Sequence, residues 1–584
     1  MPLSRALRQR PPAFAPVLAS VLLIVGCADR SEVLKPPARD SGPGPTIDSG
    51  ASDEPARPEG CTAEGAFAAR TLNVDLPTSW PAELSAETLN GLIQPYTQVS
   101  VGDLDGDGLP DLLLAQFLGH AVLMHNDGGC EFSLWHDLGP VATARAVDID
   151  GDGDVDVLVA KPEDPDAYAL GILDLFRESG SDAGGPPPQN IVLEALLNDG
   201  DGASFTTSDL GHTDAVNGCS ITEPEPMDVL DMVWGIEAHD LDHDGDLDIS
   251  VRNYFACPAT NLAMQDGRVV GPMPSVPACR ADSGLALGDV NADGMADLVC
   301  TSFAGFGTGV GVQVFLGDGE TYTPLAQGPL HVGDSAMGTA LLDIDGDGQL
   351  DLFTSDNGWP WVSLHRDGIF VEFGRALGVD PTRTFDLIDE DDHTTTWTPV
   401  PLDYDGDGDL DIVVSACLEE PSHPYPQHLF VYRNEAGETM GPVQGELGLD
   451  TPADEMTAVR VDIDGDGDED VLLGSALLGG YAVRMLINGS DADFVAVEAQ
   501  LASGQPAFGT RLIARYGPDH VVAHNLEGNT GLGNRATAQA HVARLWTASA
   551  PEAPLSALTL VWPDGGTQEL DLSGRSVLAV HPDE

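Results

Sequence analysis

Asp103-Leu104-Asp105-Gly106-Asp107-Gly108-Leu109-Pro110-Asp111, running into Leu112-Leu113-Leu114, is the stretch that decides how this chain folds. Its pattern is Asp-x-Asp-x-Asp-Gly-x-x-Asp followed by an apolar run. The pattern recurs from Asp148, Asp240, Asp289, Asp343, Asp403 and Asp462. Acids at positions 1, 3 and 5 of a tight loop point to one centre. Glycine at position 6 supplies the sharp turn, and a carbonyl at 7 with a carboxylate at 9 completes an oxygen cage. Such a cage of hard oxygens suits Ca²⁺, whereas Mg²⁺ demands stricter octahedral geometry. Zn²⁺ does not fit, because the loops hold no Cys and, among them, only His243.

The candidate ligands follow from positions 1, 3, 5, 7 and 9. In the first two loops they are Asp103, Asp105, Asp107, Leu109 and Asp111, then Asp148, Asp150, Asp152, Asp154 and Asp156. In the next two they are Asp240, Asp242, Asp244, Asp246 and Asp248, then Asp289, Asn291, Asp293, Met295 and Asp297. The last three give Asp343, Asp345, Asp347, Gln349 and Asp351; Asp403, Asp405, Asp407, Asp409 and Asp411; and Asp462, Asp464, Asp466, Asp468 and Asp470. Leu109, Met295 and Gln349 enter through their carbonyls. Asn291 is the one departure among positions 1, 3, 5 and 9, and it keeps an oxygen. About seven Ca²⁺ ions are the implied cofactor.

Two other readings compete. An EF-hand shares the first six positions but needs an acid at position 12. Position 12 here is Leu114, Val159, Val251, Cys300, Thr354, Val414 or Leu473. The flanks, such as Ile412-Val413-Val414, are short β-branched runs rather than helices. A solvated acidic surface does not explain a glycine at position 6 and an acid at position 9 in every copy.

Turn signals lie between the loops. Asn126-Asp127-Gly128-Gly129 precedes Phe132, Asn198-Asp199-Gly200-Asp201-Gly202 precedes Phe205, Gly317-Asp318-Gly319 precedes Tyr322, and Asp367-Gly368 precedes Phe370. Each unit therefore reads strand, acidic loop, buried strand, hairpin. About four strands per repeat of this length is the signature of propeller blades. The longest interval, from Asp148 to Asp240, holds one hairpin signal and Pro- and Gly-rich loop sequence, so it is read as an insertion rather than an eighth blade.

On these motifs the chain resembles the FG-GAP/VCBS repeats of integrin-α-like propellers. Ser335-Ala336-Met337-Gly338 leading into Asp343, and Met232-Val233-Trp234-Gly235 leading into Asp240, resemble the branch that includes cartilage acidic protein. That branch ends in an ASPIC/UnbV domain, matched by Phe508-Gly509-Thr510-Arg511-Leu512 and Val561-Trp562-Pro563-Asp564-Gly565-Gly566. The stretch His541–Trp546 lacks the turn glycines of the family's His-Phe-Gly-Leu-Gly segment. The resemblance implies an all-β fold: a seven-bladed integrin-α-like β-propeller over 61–495 and a small C-terminal β-domain over 496–584.

Composition bounds the function. The 584 residues carry 95 Asp and Glu against 25 Lys and Arg, a formal charge of −70. Nothing here could neutralise a run of phosphates or anchor electrostatically on anionic lipid. With 42% hydrophobic residues the chain is built to fold. The 67 Gly and 43 Pro favour turns over long helices.

Arg5, Arg8 and Arg10 precede an apolar stretch ending Val17–Cys27, the plan of a secretory signal. Ile24-Val25-Gly26-Cys27 resembles a bacterial lipobox, which implies a signal peptide over 1–26 and a lipidated Cys27. An ordinary signal peptide or membrane anchor is the alternative, although the stretch is short for a span of ~20 residues. Residues 27–60 lack large apolar side chains and read as a tether. The implied location is a bacterial cell envelope, lipid-anchored, with the outer membrane favoured by Ala28.

Beyond Cys27 there are seven cysteines. Cys257 and Cys279 bracket a proline-rich loop and are the candidate disulfide. Cys300, in a strand run, is expected to be simply buried.

No catalytic constellation stands out. Gly333-Asp334-Ser335-Ala336-Met337 lacks the second glycine of a nucleophile elbow. Asp386–His393 is an acidic loop that could hold a further metal, with a solvated insertion as the expectation. Trp359, Trp361 and Trp397 could stack on sugars, but blade packing is the expectation. The chain is expected to be a non-catalytic binding or adhesion module with a protein or glycan ligand and no nucleic-acid partner. The rivals are an enzyme or accessory subunit working through the propeller mouth, and a scaffold in an envelope complex.

Overall fold

The computed structural model describes Cys61, residues 67–74 and most of 97–581; the longer stretches outside the description are 1–60, 75–96, 170–190, 303–310, 380–393, 419–428 and 527–541. Cys27, Cys257, Ser335 and Asp386–His393 therefore lie outside the described residues.

Each acidic loop joins the first and second strands of a four-stranded antiparallel unit. In the first unit Thr97–Gly102, Asp111–Gln116, His120–Asn126 and Phe132–Pro140 pair in sequence order. Six such units follow among the described residues, with first strands Thr143–Val147, Val233–His239, Asp282–Gly288, Ala336–Leu342, Thr394–Leu402 and Glu455–Val461. We number these sheets 1 to 7. Four third-to-fourth-strand hairpins fall on the turn signals at Asn126, Asn198, Gly317 and Asp367. Between sheets 2 and 3 the described residues add only a two-stranded ribbon, Ser220–Ile221 with Met227–Asp228.

The apolar run after each loop is buried on both faces because each face meets a different sheet. Leu112 and Leu114 pack with Val459, Val461 and Leu472 of sheet 7. Leu113 and Ala115 face the other way, onto Ala144, Ala146 and Val157 of sheet 2. Similar seams join sheets 3–4, 4–5, 5–6 and 6–7. Burying such side chains contributes roughly 1.5–3 kcal/mol each. The ring closes, since the first strand of sheet 7 lies beside that of sheet 1.

Closure also uses the N-terminus. The outermost strand of sheet 7 is Ala68–Val74, paired antiparallel with Tyr481–Ile487 from Ala68↔Ile487 to Val74↔Tyr481. Its alternating half-buried and exposed residues match an edge strand with one covered face. A disulfide, Cys61–Cys130 (Cα–Cα 5.2 Å), ties the same segment to sheet 1.

The expected Cys257–Cys279 bridge is corrected. Cys279 is bonded to Cys300, with a Cα–Cα distance of 5.9 Å. Both are buried in the seam between sheets 3 and 4, which brings the loop cysteine against the strand. Cys300 is thus buried and bonded rather than free.

The C-terminal strands form two further sheets around Val497, Leu512, Leu545, Leu560 and Trp562. Phe494–Gln500 lies between Val542–Trp546 and Ser576–Val580. Thr510–Tyr516 lies between His520–Leu526 and Ala553–Val561, and this sheet joins sheet 5 at Leu342↔His524. Among the described residues no helix is long and apolar enough to cross a membrane.

Candidate metal centres

All seven loops are built to one plan. The position-9 carboxylate accepts two backbone N–H groups: one from position 2 of its own loop, one from the third strand or the residue just after it. For Asp111 these are Leu104 (3.0 Å) and Asn126 (2.8 Å); for Asp470, Ile463 (2.9 Å) and Asn488 (2.7 Å). Asp156, Asp248, Asp297, Asp351 and Asp411 repeat the pair. The position-5 acid accepts the amide of position 7, as from Leu109 to Asp107 at 2.8 Å. The position-1 acid accepts the amide of the position-6 glycine, as from Gly108 to Asp103 at 2.9 Å.

That glycine has positive φ in every loop, from 84° at Gly348 to 105° at Gly467. Position 4 does too, and there the residue need not be glycine: His243 (φ 60°) and Ala292 (φ 58°) hold the same turn. At Gly467 a Cβ would also run into the Phe494 ring.

The wrapping aims oxygens at one point. Ligand oxygens of Asp103, Asp105 and Asp111 all lie within 4.8 Å of one another, as do those of Asp148, Asp150 and Asp156, of Asp240, Asp242 and Asp248, and of Asp343, Asp345 and Asp347. Such crowding is costly without a cation. Burial pushes Asp111 and Asp148 up to about 6, Asp248, Asp297 and Asp343 to about 7, and Asp156 and Asp351 to about 8. Burial and neighbouring acids raise Asp240, Asp403, Asp411 and Asp470 well above the usual carboxylate range.

The residues fit a hard cation. Asp345 Oδ1 and Asp462 Oδ1 are buried without a hydrogen-bond partner, which an ion would supply. Guanidinium groups already stand where positive charge is wanted. Arg366 pairs with Asp345 and with Asp347 (3.2 Å), Arg511 with Asp289 (3.2 Å), and Arg544 with Asp462 (3.5 Å). In the first loop His125 Nε2 lies 3.0 Å from Asp105, and its partner Asp127 raises its pKa.

Sequence reasoning missed what covers these loops. The C-terminal unit sits on the loop face and touches six of them. Ser503 packs on Gly151, Gln505 bonds Leu247, and Arg511 meets Asp289. Ala523 bonds Asp343, Trp546 Nε1 donates to the Asp403 carbonyl (2.9 Å), and Arg544 meets Asp462. The Trp562–Gly566 turn lies on the fourth loop as well, with Ala296 N donating to the Pro563 carbonyl at 2.9 Å. These contacts join residues far apart in the sequence and leave no local pattern.

Of the tryptophans, Trp397 is buried and Trp359 packs edge-on to Phe430 at 5.8 Å, as blade packing requires. Trp361 is exposed, its indole N–H donating to Asp356 (3.0 Å).

The FG-GAP-like repeat model matches residues 103–159, 289–354, 343–414 and 403–473. Each match runs from position 1 of one loop to position 12 of the next, so the repeat is a loop-to-loop unit. No curated protein matches the chain. Among solved structures, one from work on specific recognition of non-reducing terminal N-acetylglucosamine by an Agrocybe aegerita lectin is 15% identical. It covers 64% of this chain and 88% of that one at a TM-score of 0.35, a likeness that carries no argument. The chain carries FG-GAP-like repeats in four places on an all-β, propeller-type fold.

Proposed function

We propose that the chain is an exported, lipid-anchored β-propeller of seven blades, loaded with calcium, that works as a non-catalytic binding or adhesion module at a bacterial cell envelope. The observation that carries this reading is the shared plan of the seven loops, with acid oxygens converging in those from Asp103, Asp148, Asp240 and Asp343, an arrangement that burial makes costly without a cation. Millimolar external calcium would keep such sites filled, so the ions support the fold rather than signal. The lipobox-like Ile24-Val25-Gly26-Cys27 supports export and anchoring, and the tether 27–60 would hold the propeller away from the bilayer. The C-terminal strands are assigned to an ASPIC/UnbV-like domain. The proposed ligand is a protein or a glycan.

Two measurements test it. Native mass spectrometry should find about seven Ca²⁺ per chain, lost in chelator with a large fall in melting temperature. An unchanged melt after confirmed metal loss overturns the calcium reading. Capture from envelope extracts by the calcium-loaded chain, absent after chelation, tests the binding role. Turnover of an envelope substrate would replace it with the enzyme reading.

A further inference from the structure

Four of the seven junctions between sheets carry the same side-chain clasp. An asparagine at the end of the third strand, or just after it, sends Nδ2 to the position-2 carbonyl of the preceding sheet's loop. Asn126 reaches Ile463 (3.2 Å), Asn198 reaches Leu104 (2.6 Å), Asn434 reaches Ile344 (2.8 Å) and Asn488 reaches Tyr404 (3.2 Å). The backbone amide of each also binds the position-9 acid of its own loop. At the other three junctions the residue in that place is Met264, Gly317 or His365. The first two have no side-chain donor to give, and His365 directs Nδ1 at Gln349 (2.9 Å).

Those three junctions are bridged differently. Between sheets 2 and 3, Gln505 Nε2 donates to the Ile149 carbonyl (2.7 Å), the position-2 carbonyl that Met264 cannot reach. Its Oε1 accepts from Leu247 of sheet 3 (3.0 Å), so one side chain spans the junction. Ser503 Oγ donates to Gly245 (2.7 Å) beside it. Beneath them a buried ion-pair cluster crosses the same junction, Arg145 of sheet 2 with Glu237 of sheet 3 and Arg252 with Glu237 at 2.6 Å. Phe508 covers it, 5.5 Å from Arg145 and 5.5 Å from His239. Between sheets 3 and 4, Tyr322 of sheet 4 donates its hydroxyl to the Leu241 carbonyl (3.1 Å). Between sheets 4 and 5, Asn525 Nδ2 donates to Leu287 of sheet 4 (2.7 Å), while Ala523 N donates to Asp343 of sheet 5 (3.0 Å).

We propose that the C-terminal unit is an intramolecular lock on the propeller ring, bridging two of the three junctions that lack the asparagine clasp: Gln505 takes the position-2 carbonyl of Ile149 at one, and Asn525 takes the first-strand carbonyl of Leu287 at the other. The Gln505 and Asn525 side chains bond backbone groups alone, so their part in the lock does not rest on the calcium reading. The lock gives the C-terminal unit a defined partner: the two sheet junctions, 2–3 and 4–5, whose own third strands cannot close them.

Amide hydrogen exchange on the full chain at fixed calcium tests this, with Asn198→Ala as the calibration for losing a clasp. Gln505→Ala should lower protection about twentyfold in residues 148–153 and 240–248, as two lost hydrogen bonds would, while leaving the junction of sheets 1 and 2 unchanged. Met264→Asn places an asparagine in the clasp position and should restore the Ile149 bond, recovering about fivefold of the loss in the Gln505→Ala background. Asn525→Ala should reproduce the local pattern at the junction of sheets 4 and 5, independently of any change at Met264. The proposal is overturned if either single variant loses protection evenly around the ring or not at all. A folded Met264→Asn, Gln505→Ala double variant with no recovery also overturns it.

Discussion

Arg511 lies 3.2 Å from Asp289, so the C-terminal unit places a buried positive charge on the first acid of the fourth loop. The guanidinium opposes the effect of burial, which raises the Asp289 pKa. Removing it leaves a buried carboxylate uncompensated, a change that costs about 3 kcal/mol or more. Arg511→Met should therefore destabilise the protein strongly in chelator. With calcium present the ion takes over the neutralising role, and the loss should shrink. The gap between melting temperatures with and without calcium widens relative to wild type; an unchanged gap refutes the coupling.

The loops, the strands after them and the hairpins were legible in the sequence because each is local: an acid every second residue, a glycine, then an apolar run. What joins them was not. Asn126 and Asn198 read as turn residues, and nothing near them names Ile463 or Leu104 as partners. The closing strand Ala68–Val74 finds Tyr481–Ile487 across the whole ring. The Cys279 partner was misjudged because sequence distance from a proline-rich loop says little about which strand the loop folds over. Positive φ at position 4 was hidden by His243 and Ala292, which do not advertise it.

Position 4 gives a direct test of that backbone demand. Ala292 holds φ 58°, a conformation that costs an L-residue with a Cβ roughly 1–2 kcal/mol. Ala292→Gly should stabilise the chain by up to about 1 kcal/mol after the entropy that glycine adds to the unfolded state. The reverse change, Gly346→Ala at φ 67°, meets only Val521 O at 3.5 Å and should cost about 1 kcal/mol through strain alone. Urea titrations of both variants at one calcium concentration would show opposite shifts in midpoint.

The pH dependence should invert with metal. Burial raises the folded-state pKa of Asp111 to about 6, of Asp248 and Asp343 to about 7, and of Asp156 and Asp351 to about 8. Unfolded aspartate titrates near ~3.9. The folded metal-free chain therefore binds more protons than the unfolded one between those values, and stability falls as pH rises through that window. In chelator, melting should be higher at pH 5 than at pH 8. In saturating calcium the ion displaces those protons, so the order reverses. Parallel profiles in the two buffers would contradict the assignment of these acids to a cation.

The two acids Asp105 and Asp111 separate scaffold from ligand. Asp111 accepts the Leu104 and Asn126 amides on its two oxygens, holding the loop to the third strand whether or not an ion is present. An asparagine there turns one acceptor into a donor facing a backbone N–H, which leaves a buried group unpaired. Asp111→Asn should cost about 2 kcal/mol even in chelator. Asp105 is partly exposed: one oxygen accepts the Asp107 amide (3.1 Å), a bond an asparagine keeps, and the other faces His125 Nε2 (3.0 Å), a half-exposed pair whose loss costs little. It also raises the pKa of Asp103 and Asp111 by repulsion, so neutralising it relieves strain between charges. In chelator Asp105→Asn should stay within about 0.5 kcal/mol of wild type. Both variants should lose one bound calcium. Equal stability of the two variants and wild type in chelator would reduce position 9 to a metal ligand and nothing more.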